Sequence, residues 1–385
     1  MSRGSIARRK SARSIGNRAD QRVGVELSID SQDTICEGEI AMKYFTGIDV
    51  SLRSVSVCVV DEAGEVRYEA KMAAEIDGIV AALRRFSVEI RQIGFEAGAL
   101  TQYLTYGLTE AGYEVICMEA RQVAASLAAM RNKTDRNDAR GLAQILRTGW
   151  YRTVHVKSLA SHQVRALLAS RKIILTKCID PENELRGLLK VFGVRLPPRV
   201  GHGGFDELVR PKVLALPELA KCLLPLLDAR SMLYRTYLQL DNAVRGMARQ
   251  DPVCQRLMTV PGVGPVTSLT FKTAVDEPTR FRSSRTVAAH FGLTPRRYQS
   301  GEMDNPGSDL QGRRPSGATG AVRRCSRLDD PQRRLVGAEG LGIRLAKTRG
   351  HRRAVIAVAR KLAVILHRMW IHGADFRATR MEVAA

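Results

Sequence analysis

Two aspartates, Asp135 and Asp138, lie three residues apart in Asn132-Lys-Thr-Asp-Arg-Asn-Asp-Ala139, where a helical pattern of apolar residues begins. Residues with this spacing share one face of a helix, so both carboxylates are expected to point the same way. Adjacent carboxylates repel each other unless a cation lies between them, and Mg²⁺ binds to one or two protein carboxylates together with substrate phosphates. The alternative is an ordinary helix start, where the helix dipole stabilises a solvated aspartate.

The segments before this helix are expected to form the core that positions the two aspartates. Alternating apolar residues predict three successive strands at 44–49, 55–60 and 66–71, and Asp61-Glu-Ala-Gly64 supplies a turn between the last two. Further helices and strands then alternate: helices from Ile76, at 100–111 and at 121–131, and strands at 93–95 and 113–118. A meander followed by this alternation predicts a mixed sheet flanked by helices.

Two more acids stand at the ends of predicted strands, Asp49 after the first and Glu96 after the fourth. Ligands gather at strand ends in α/β proteins, so Asp49, Glu96, Asp135 and Asp138 are candidates for one metal site. Two metal ions about 4 Å apart activate an attacking oxygen and stabilise a leaving oxygen in phosphoryl transfer. Taken singly, Asp49 also fits a turn residue and Glu96 an exposed loop acid.

The composition favours a polyanionic partner. The 385 residues include 61 Lys and Arg against 39 Asp and Glu, which gives a net charge of +22. Such a balance indicates nucleic acid. The seven cysteines are scattered without a Cys-x-x-Cys pair, which is typical of reduced thiols, and no apolar run is long enough to span a bilayer. We therefore expect a cytoplasmic protein that associates with nucleic acid, in the nucleoid if the source is bacterial, and that has no membrane partner.

Three stretches, GIDVSLRSVSVCVVDEAG, IGFEAG and NKTDRNDARGLAQILRTGWYRTVHVKS, resemble the RuvC-like domain of the DEDD insertion-sequence transposases, the insertion-sequence-110 family. The resemblance extends from residue 43 to about 305 and resumes from about 343 to 376. It implies an RNase H/RuvC-like fold in which Asp49, Glu96, Asp135 and Asp138 bind Mg²⁺ or Mn²⁺. It also implies a guide RNA encoded by the element and a homo-oligomer, a dimer or a tetramer, assembled on DNA.

The middle of the chain is expected to form a two-helix arm. Apolar residues recur every three or four positions in 158–190 and again in 223–247, which is typical of amphipathic helices or a coiled coil. Gly201-His-Gly-Gly204 predicts the loop between the helices, and Pro181 is expected to kink or end the first one. In the family that the chain resembles, this region is a coiled-coil insertion through which protomers pair.

The last part of the chain is expected to be a mostly α-helical domain that meets DNA. Gly262 and Gly264 lie in a turn between two helical patterns, where backbone N–H groups suit a phosphate. The turn resembles a helix-hairpin-helix, although an ordinary interhelical turn fits equally well. Arg296 and Arg297 precede Ser300, and Arg352 and Arg353 open a basic helix. These four arginines and the two glycines are the predicted nucleic-acid contacts.

Ser300 is the candidate nucleophile in the sequence Gln-Ser-Gly. A serine hydroxyl attacks poorly unless a base takes its proton or its target is polarised, so the residue alone favours a turn serine. The resemblance reverses this preference, because the family's catalytic serine occupies this position. It is taken there to attack a DNA phosphodiester and form a transient phosphoserine link.

Residues 306–342 differ from the sequence around them. Gly, Arg and Ser dominate, and the helical periodicity and the family resemblance both disappear. Codons for the segment from Ser316 to Pro331 can be chosen so that the neighbouring reading frame spells QVRPALYDAAHVLMT, which has helical spacing. The segment from Val336 behaves similarly, with WSALKAWG in the neighbouring frame. We therefore predict two compensating frame shifts, which would impair this copy.

These observations predict five regions: a disordered extension (1–41), a RuvC-like DEDD catalytic domain (42–156), a coiled-coil arm (157–250), a C-terminal transposase domain (251–376) and a tail (377–385). The predicted function is metal-dependent DNA strand cleavage and transfer through a serine nucleophile. The alternatives are a RuvC-like structure-selective endonuclease, which needs the acids and not Ser300, and an inactive DNA-binding remnant of a transposase.

Overall fold

The structure, a computed structural model, describes residues 43–85, 90–128, 130, 132–300, 303–309, 346–348 and 350–377. For residues 295–300, 303–309 and 352 it describes the backbone alone. The predicted extension therefore lies outside the described residues, as do the predicted tail beyond residue 377 and most of the predicted frame-shifted segment.

The first part of the described chain is built on a mixed sheet whose strands run in the order β3-β2-β1-β4-β5. The meander β1-β2-β3 is antiparallel, and β4 and β5 run parallel to β1. The strands are β1 (Tyr44–Val50), β2 (Ser54–Val60), β3 (Val66–Ala73), β4 (Ile90–Glu96) and β5 (Val115–Met118).

Helices cover both faces of this sheet, because successive strand residues point to opposite sides. On one face, Ile48 and Val57 pack with Ile79 and Leu104 of two helices in a single buried cluster. On the other face, Cys58 packs against the helix that carries the paired aspartates. The predicted mixed sheet flanked by helices is confirmed, and it fits an RNase H-like domain. The helices are α1 (Ile76–Arg85), α2 (Thr101–Glu110), α3 (Ala120–Leu127) and α4 (Asp135–Thr148).

The middle of the chain forms two long helices, α5 (Leu159–Val191) and α7 (Pro217–Gln250), with a shorter α6 (Phe205–Leu214) between them. Arg171 of α5 binds Asp241 of α7, whereas Glu182 of α5 binds Arg230 of α7. Since the partner number falls as the α5 number rises, the two helices are antiparallel. Sequence patterning missed α6, whose Phe205, Val209 and Val213 lie in the core between the long helices.

Pro181 does not end α5, which continues for ten residues beyond it to Val191. A proline inside a helix removes one backbone hydrogen bond and costs about 3 kcal/mol or more. The buried contacts on either side compensate for this cost, because Cys178, Glu182 and Leu185 all lie against the rest of the arm.

A buried ion pair fixes how α5 and α7 pack together. The side chain of Arg230 is 1% exposed, and its guanidinium donates to Glu182 Oε1 and lies over the rings of Phe205 and Tyr234. His202 Nδ1 lies 2.9 Å from Glu182 Oε2, which brings the interhelical loop into the same network.

The C-terminal region is mostly α-helical in its described residues, as predicted. Its core joins Leu257, Phe271, Val287 and Leu366 of four helices. A two-stranded antiparallel hairpin, which the sequence patterns did not predict, carries Ser300 at the end of its first strand. The elements are α8 (Pro252–Met258), α9 (Pro265–Val275), a 3₁₀ turn (Pro278–Arg280), α10 (Ser284–His290), β6 (Pro295–Ser300), β7 (Met303–Asp309) and α11 (His351–His372).

Asp276 connects the three regions at one junction. It has a positive φ of 64°, and its carboxylate accepts hydrogen bonds from the backbone N–H and the hydroxyl of Ser158 at 3.0 and 2.6 Å. His155 Nε2 lies 2.8 Å from the same carboxylate, Lys157 Nζ donates to the carbonyl of Ala274 at 2.6 Å, and the Tyr106 hydroxyl donates to the carbonyl of Lys157. The sheet, the arm and the C-terminal helices therefore meet here.

Burial would raise the pKa of the Asp276 carboxyl, but the hydrogen bonds from Ser158, Ser161 and His155 hold it well below its usual range. Burial lowers the pKa of Lys157 to about 8, and the positive charges of Arg280 and Arg165 act in the same direction. The junction thus combines a carboxylate that its hydrogen bonds stabilise with a lysine ammonium that burial destabilises.

None of the helices in the described part of the chain has the length and apolar character that a bilayer crossing requires.

Candidate active site

The helix α4 carries two of the four predicted acids, and its start is well defined. The hydroxyl of Thr134 accepts a hydrogen bond from the backbone N–H of Asn137 at 3.2 Å, which caps the helix. Asp135 and Asp138 lie in the first turn. The helix ends at Gly149 in the left-handed conformation, with φ of 70°.

Close contact with β1 fixes the position of α4. A Cβ atom on Gly47 would lie 2.3 Å from the backbone oxygen of Ala139 and 2.3 Å from the backbone nitrogen of Ala143. Only glycine permits this approach, because real Cβ atoms essentially never come within 3.0 Å of other heavy atoms. Gly47 precedes Asp49 by two residues, so the contact sets the distance between the β1 acid and the α4 acids.

Asp49 and Glu96 stand side by side at the ends of neighbouring parallel strands. Ile48 of β1 pairs with Phe95 of β4, so the next residue on each strand is one of the two acids. Asp49 is half-buried, whereas Glu96 is exposed. The arrangement brings both carboxylates to the edge of the sheet where α4 begins, as the sequence predicted.

The pKa shifts reflect the mutual proximity of the acids. Burial raises the pKa of Asp49, and the charges of Asp138 and Asp135 raise it further, against an opposing effect of Lys133. Burial likewise raises the pKa of Glu96, and the charges of Asp49 and Asp138 add to this effect. The acids are therefore close enough to repel each other, and a positive ion placed between them would reduce this repulsion.

Asp135 binds a lysine side chain of the sheet. Lys71 Nζ of β3 donates to Asp135 Oδ2 at 2.8 Å, and this hydrogen bond lowers the pKa of Asp135. No sequence pattern singled out Lys71, which lies 64 residues before the carboxylate that it binds. The signal was present in the predicted hairpin of β2 and β3, whose register places Lys71 opposite Ser56.

A second set of charges attaches α4 to the sheet. Glu69 of β3 accepts hydrogen bonds from the guanidinium groups of Arg140 and Arg136 of α4, including 2.9 Å from Arg140 Nη2 to Glu69 Oε2. These hydrogen bonds lower the pKa of Glu69 to about 2. A cavity of about 520 Å³ lies beside this set, between β2, β3 and the start of α4; it is lined by Ser56, Glu69, Lys71, Thr134, Asp135 and Arg136.

The four acids suit a hard divalent cation in donor type, since carboxylate oxygens are the ligands that Mg²⁺ and Mn²⁺ prefer. Their mutual repulsion also fits a site completed by a positive ion. Over the described ranges, however, three His, Cys, Asp or Glu side chains do not come together closely enough to bind a metal ion. Binding would therefore require the carboxylates to draw together, and Asp135 would have to turn from Lys71.

The remaining predicted site residues belong to the C-terminal region. Gly262, with φ of 83°, and Gly264 lie in the turn between α8 and α9. Ser300 pairs with Met303 at the end of β6. Arg296 and Arg297 lie on the same strand, Arg352 and Arg353 lie in the first turn of α11, and Arg353 is exposed. The side chains of Ser300, Arg296, Arg297 and Arg352 are outside the described part of the structure.

Two family models match the chain. A DEDD transposase model of the IS110 type, described as "Transposase", matches residues 46–193, which include Asp49, Glu96, Asp135 and Asp138. The model "Transposase IS116/IS110/IS902 family" matches residues 254–315, which include Ser300. The second match extends about ten residues beyond residue 305, where the predicted resemblance to the family stops. Arg352 and Arg353 lie outside both matches.

The relatives with similar sequences include two transposases from other bacteria. The chain is 29% identical to the "Transposase for insertion sequence element IS1111A" of Coxiella burnetii over 67% of this chain and 70% of the relative. It is 26% identical to the "Probable family 20 transposase" of Pseudomonas aeruginosa, over 56% of this chain and 64% of that protein. The chain thus spans about two thirds of their lengths.

Among solved structures, RuvC of Thermus thermophilus in complex with a Holliday junction substrate is 14% identical, with a TM-score of 0.24, over 29% of this chain and 99% of that one. The family follows from the two sequence models instead, which match both the segment with the four acids and the segment with the serine. The chain therefore belongs to the IS110 family of DEDD insertion-sequence transposases.

Proposed function

We propose that this protein cleaves and transfers DNA strands by metal-dependent transesterification at a phosphodiester, with Ser300 as the nucleophile. The observation that supports the proposal is the adjacency of Asp49 and Glu96 at the ends of β1 and β4, within the electrostatic influence of Asp138 in the first turn of α4. A net charge of +22 supports a DNA partner, since cationic side chains bind the phosphate backbone.

In the proposed mechanism, Asp49, Glu96, Asp135 and Asp138 would hold one or two Mg²⁺ or Mn²⁺ ions. These ions would supply Lewis-acid stabilisation of charge on the phosphate oxygens. The Ser300 hydroxyl loses its proton and attacks the phosphorus, a P–O bond to serine forms, and the P–O bond to one deoxyribose oxygen breaks. That oxygen takes up a proton. Attack by a hydroxyl of another DNA end then forms the new phosphodiester and releases Ser300 as an alcohol.

The other chain segments position the DNA in this proposal. The turn with Gly262 and Gly264 presents backbone N–H groups to a phosphate, and Arg296 and Arg297 precede the serine on β6. Arg352 and Arg353 extend the basic surface along α11. In this proposal, DNA bound across both regions of the chain brings its phosphodiester to the Ser300 hydroxyl and to the acids.

The arm supports the proposed homo-oligomer. Exposed apolar side chains lie at one end of the arm, where Val191, the last residue of α5, is 79% exposed and Phe192, which follows the helix, is 51% exposed. Leu188 and Leu214, 42% and 56% exposed, lie at the same end of the arm. Burial of this surface between protomers would stabilise a dimer or a tetramer. A guide RNA encoded by the element is part of the proposal through the family resemblance.

The test is to trap a covalent protein–DNA adduct with duplexes that carry the element's own ends. Wild-type protein with Mg²⁺ should form the adduct, Ser300→Ala should form none, and Asp138→Asn should form none while still binding DNA. Ser308→Ala, on the partner strand of the same hairpin, is the matched control and should behave like wild type. A Ser300→Ala protein that still cuts DNA would favour the RuvC-like endonuclease, in which water attacks.

A second candidate function is that of an inactive DNA-binding remnant of a transposase. The position at which the second family match ends favours this candidate. That match ends at residue 315, about ten residues into the segment 306–342 that is predicted to be frame-shifted. The nucleotide sequence tests this candidate, because a frame-shifted gene must contain codons that spell the helical alternative. Restoring the frame should then produce adduct formation that the present chain lacks. Salt-dependent DNA binding without an adduct in either version would leave binding as the function.

A further inference from the structure

A row of polar residues crosses the three strands of the meander beside the start of α4. Asp49 of β1 pairs with Ser56 of β2, and Ser56 pairs with Lys71 of β3. Residues directly opposite on neighbouring strands point to the same face of a sheet, so all three side chains face α4. The row therefore runs from one proposed metal ligand to the lysine that binds another.

Lys71 of β3 forms an exposed ion pair with Asp135 of α4. Its ammonium lies 2.8 Å from Asp135 Oδ2, with 61% of the lysine side chain and 52% of the aspartate side chain exposed. The neighbouring cations of α4, Arg136 and Arg140, are both bound to Glu69. Lys71 is thus the cation that neutralises Asp135, while Asp49 and Glu96 repel each other.

We propose that Lys71 is an exchangeable counter-ion of the acidic site: its ammonium binds Asp135 in the free protein, and a divalent cation displaces it from that carboxylate. Lys71 is a positioning residue in this scheme, because it keeps Asp135 turned toward β3 until the cation arrives. The inference rests on the proposed function, in which the four acids bind such a cation.

Electrostatics makes the two partners of Asp135 mutually exclusive. An ammonium and a divalent cation at one carboxylate oxygen would stand within about 4 Å of each other, where like charges repel strongly. The side chain of Lys71 has room to move, since it lines the cavity of about 520 Å³ between β2, β3 and α4. The exchange therefore needs a change of side-chain rotamer and no movement of the strand.

The test is a calorimetric titration of the full chain with Mn²⁺ in the absence of DNA. Lys71→Met removes the competing charge, so it should bind Mn²⁺ about two- to fivefold more tightly than wild type, the range expected for losing one exposed ion pair. Lys71→Arg keeps the pair and should bind close to the wild-type affinity. Lys133→Met removes a nearby charge that has no bond to Asp135, and it measures the general electrostatic effect.

The inference fails if Lys71→Met binds Mn²⁺ no more tightly than Lys133→Met does, or if it binds more weakly than wild type. Asp138→Asn separates this failure from failure of the proposed function. If wild type binds Mn²⁺ and Asp138→Asn does not, the metal site stands and only the role of Lys71 is refuted. If wild type binds no Mn²⁺, both the metal site and the exchange are refuted. Lys71 is largely exposed, so its variants should keep the wild-type unfolding temperature, which provides the folding control.

Discussion

Gly47→Ala should displace α4 and so separate the acids of the site. The added Cβ would lie 2.3 Å from two backbone atoms of α4, and reaching an ordinary contact of 3.4 Å requires the strand and the helix to move apart by about 1 Å. Backbone atoms cannot rotate away as a side chain can, so the helix must shift as a unit. Overpacking of this kind costs about 1–3 kcal/mol.

The variant should unfold at a lower temperature and should also bind Mn²⁺ and cleave DNA poorly. A displacement of about 1 Å between reacting groups lowers a reaction rate by roughly a hundredfold. The assays are thermal unfolding by circular dichroism, Mn²⁺ titration and adduct formation with the element's ends. The yield of adduct should fall by a larger factor than the fraction of folded protein, because the substitution changes the distance between Asp49 and the α4 acids.

Gly78→Ala is the matched control. Gly78 lies in α1, where an added Cβ would meet no atom within 4 Å, so the same substitution should leave metal binding and cleavage unchanged. Its higher helix propensity should raise stability by up to about 1 kcal/mol. A Gly47→Ala protein with wild-type unfolding temperature and adduct yield would refute the view that this contact positions α4.

Three further substitutions test the arm, the sheet and the junction. Glu182→Gln removes one partner of a buried ion pair and should cost about 3–5 kcal/mol in urea unfolding. Glu69→Gln should lower the free energy of unfolding by about 1–3 kcal/mol at pH 7. The difference in this free energy between wild type and variant should shrink as pH falls from about 4 toward 2, because the folded-state pKa of Glu69 is lowered to about 2. Lys157→Met should abolish a rise in thermal stability between about pH 8 and 10, where the unfolded chain binds more protons, because burial lowers the folded-state pKa of Lys157 to about 8. A variant whose unfolding has the same pH dependence as that of the wild type would contradict the role given to the residue that it replaces.

Local patterns in the sequence predicted the elements that carry the acids. Alternation located β1 to β3, and the spacing of Ala139, Leu142 and Leu146 located α4, because each pattern reflects burial of one face. The strand-end positions of Asp49 and Glu96 predicted that these two acids lie side by side, as they do at the ends of β1 and β4, whereas metal binding by the four acids stays a prediction. These inferences succeeded because they depend on residues close together in the chain.

Interactions between distant residues were not predictable in this way. The partners of Glu69 lie 67 and 71 residues away in the chain, so no local pattern connects them. Position 47 requires glycine because the backbone of a helix that comes about ninety residues later packs against it. Helix α6 was missed because its run is short and interrupted by Pro211, and the hairpin of β6 and β7 was missed because its strands lack apolar alternation.

The junction at Asp276 affects how this transposase can be dissected into fragments. A fragment that stops at residue 156, the predicted end of the catalytic domain, would lack Lys157 and Ser158, and its Tyr106 hydroxyl would lose its acceptor. The complementary fragment would begin in the middle of the hydrogen-bond network, with His155 removed from Asp276. Neither half keeps the full set of bonds. An independently expressed catalytic domain therefore needs a cut elsewhere, or the two fragments must be produced together.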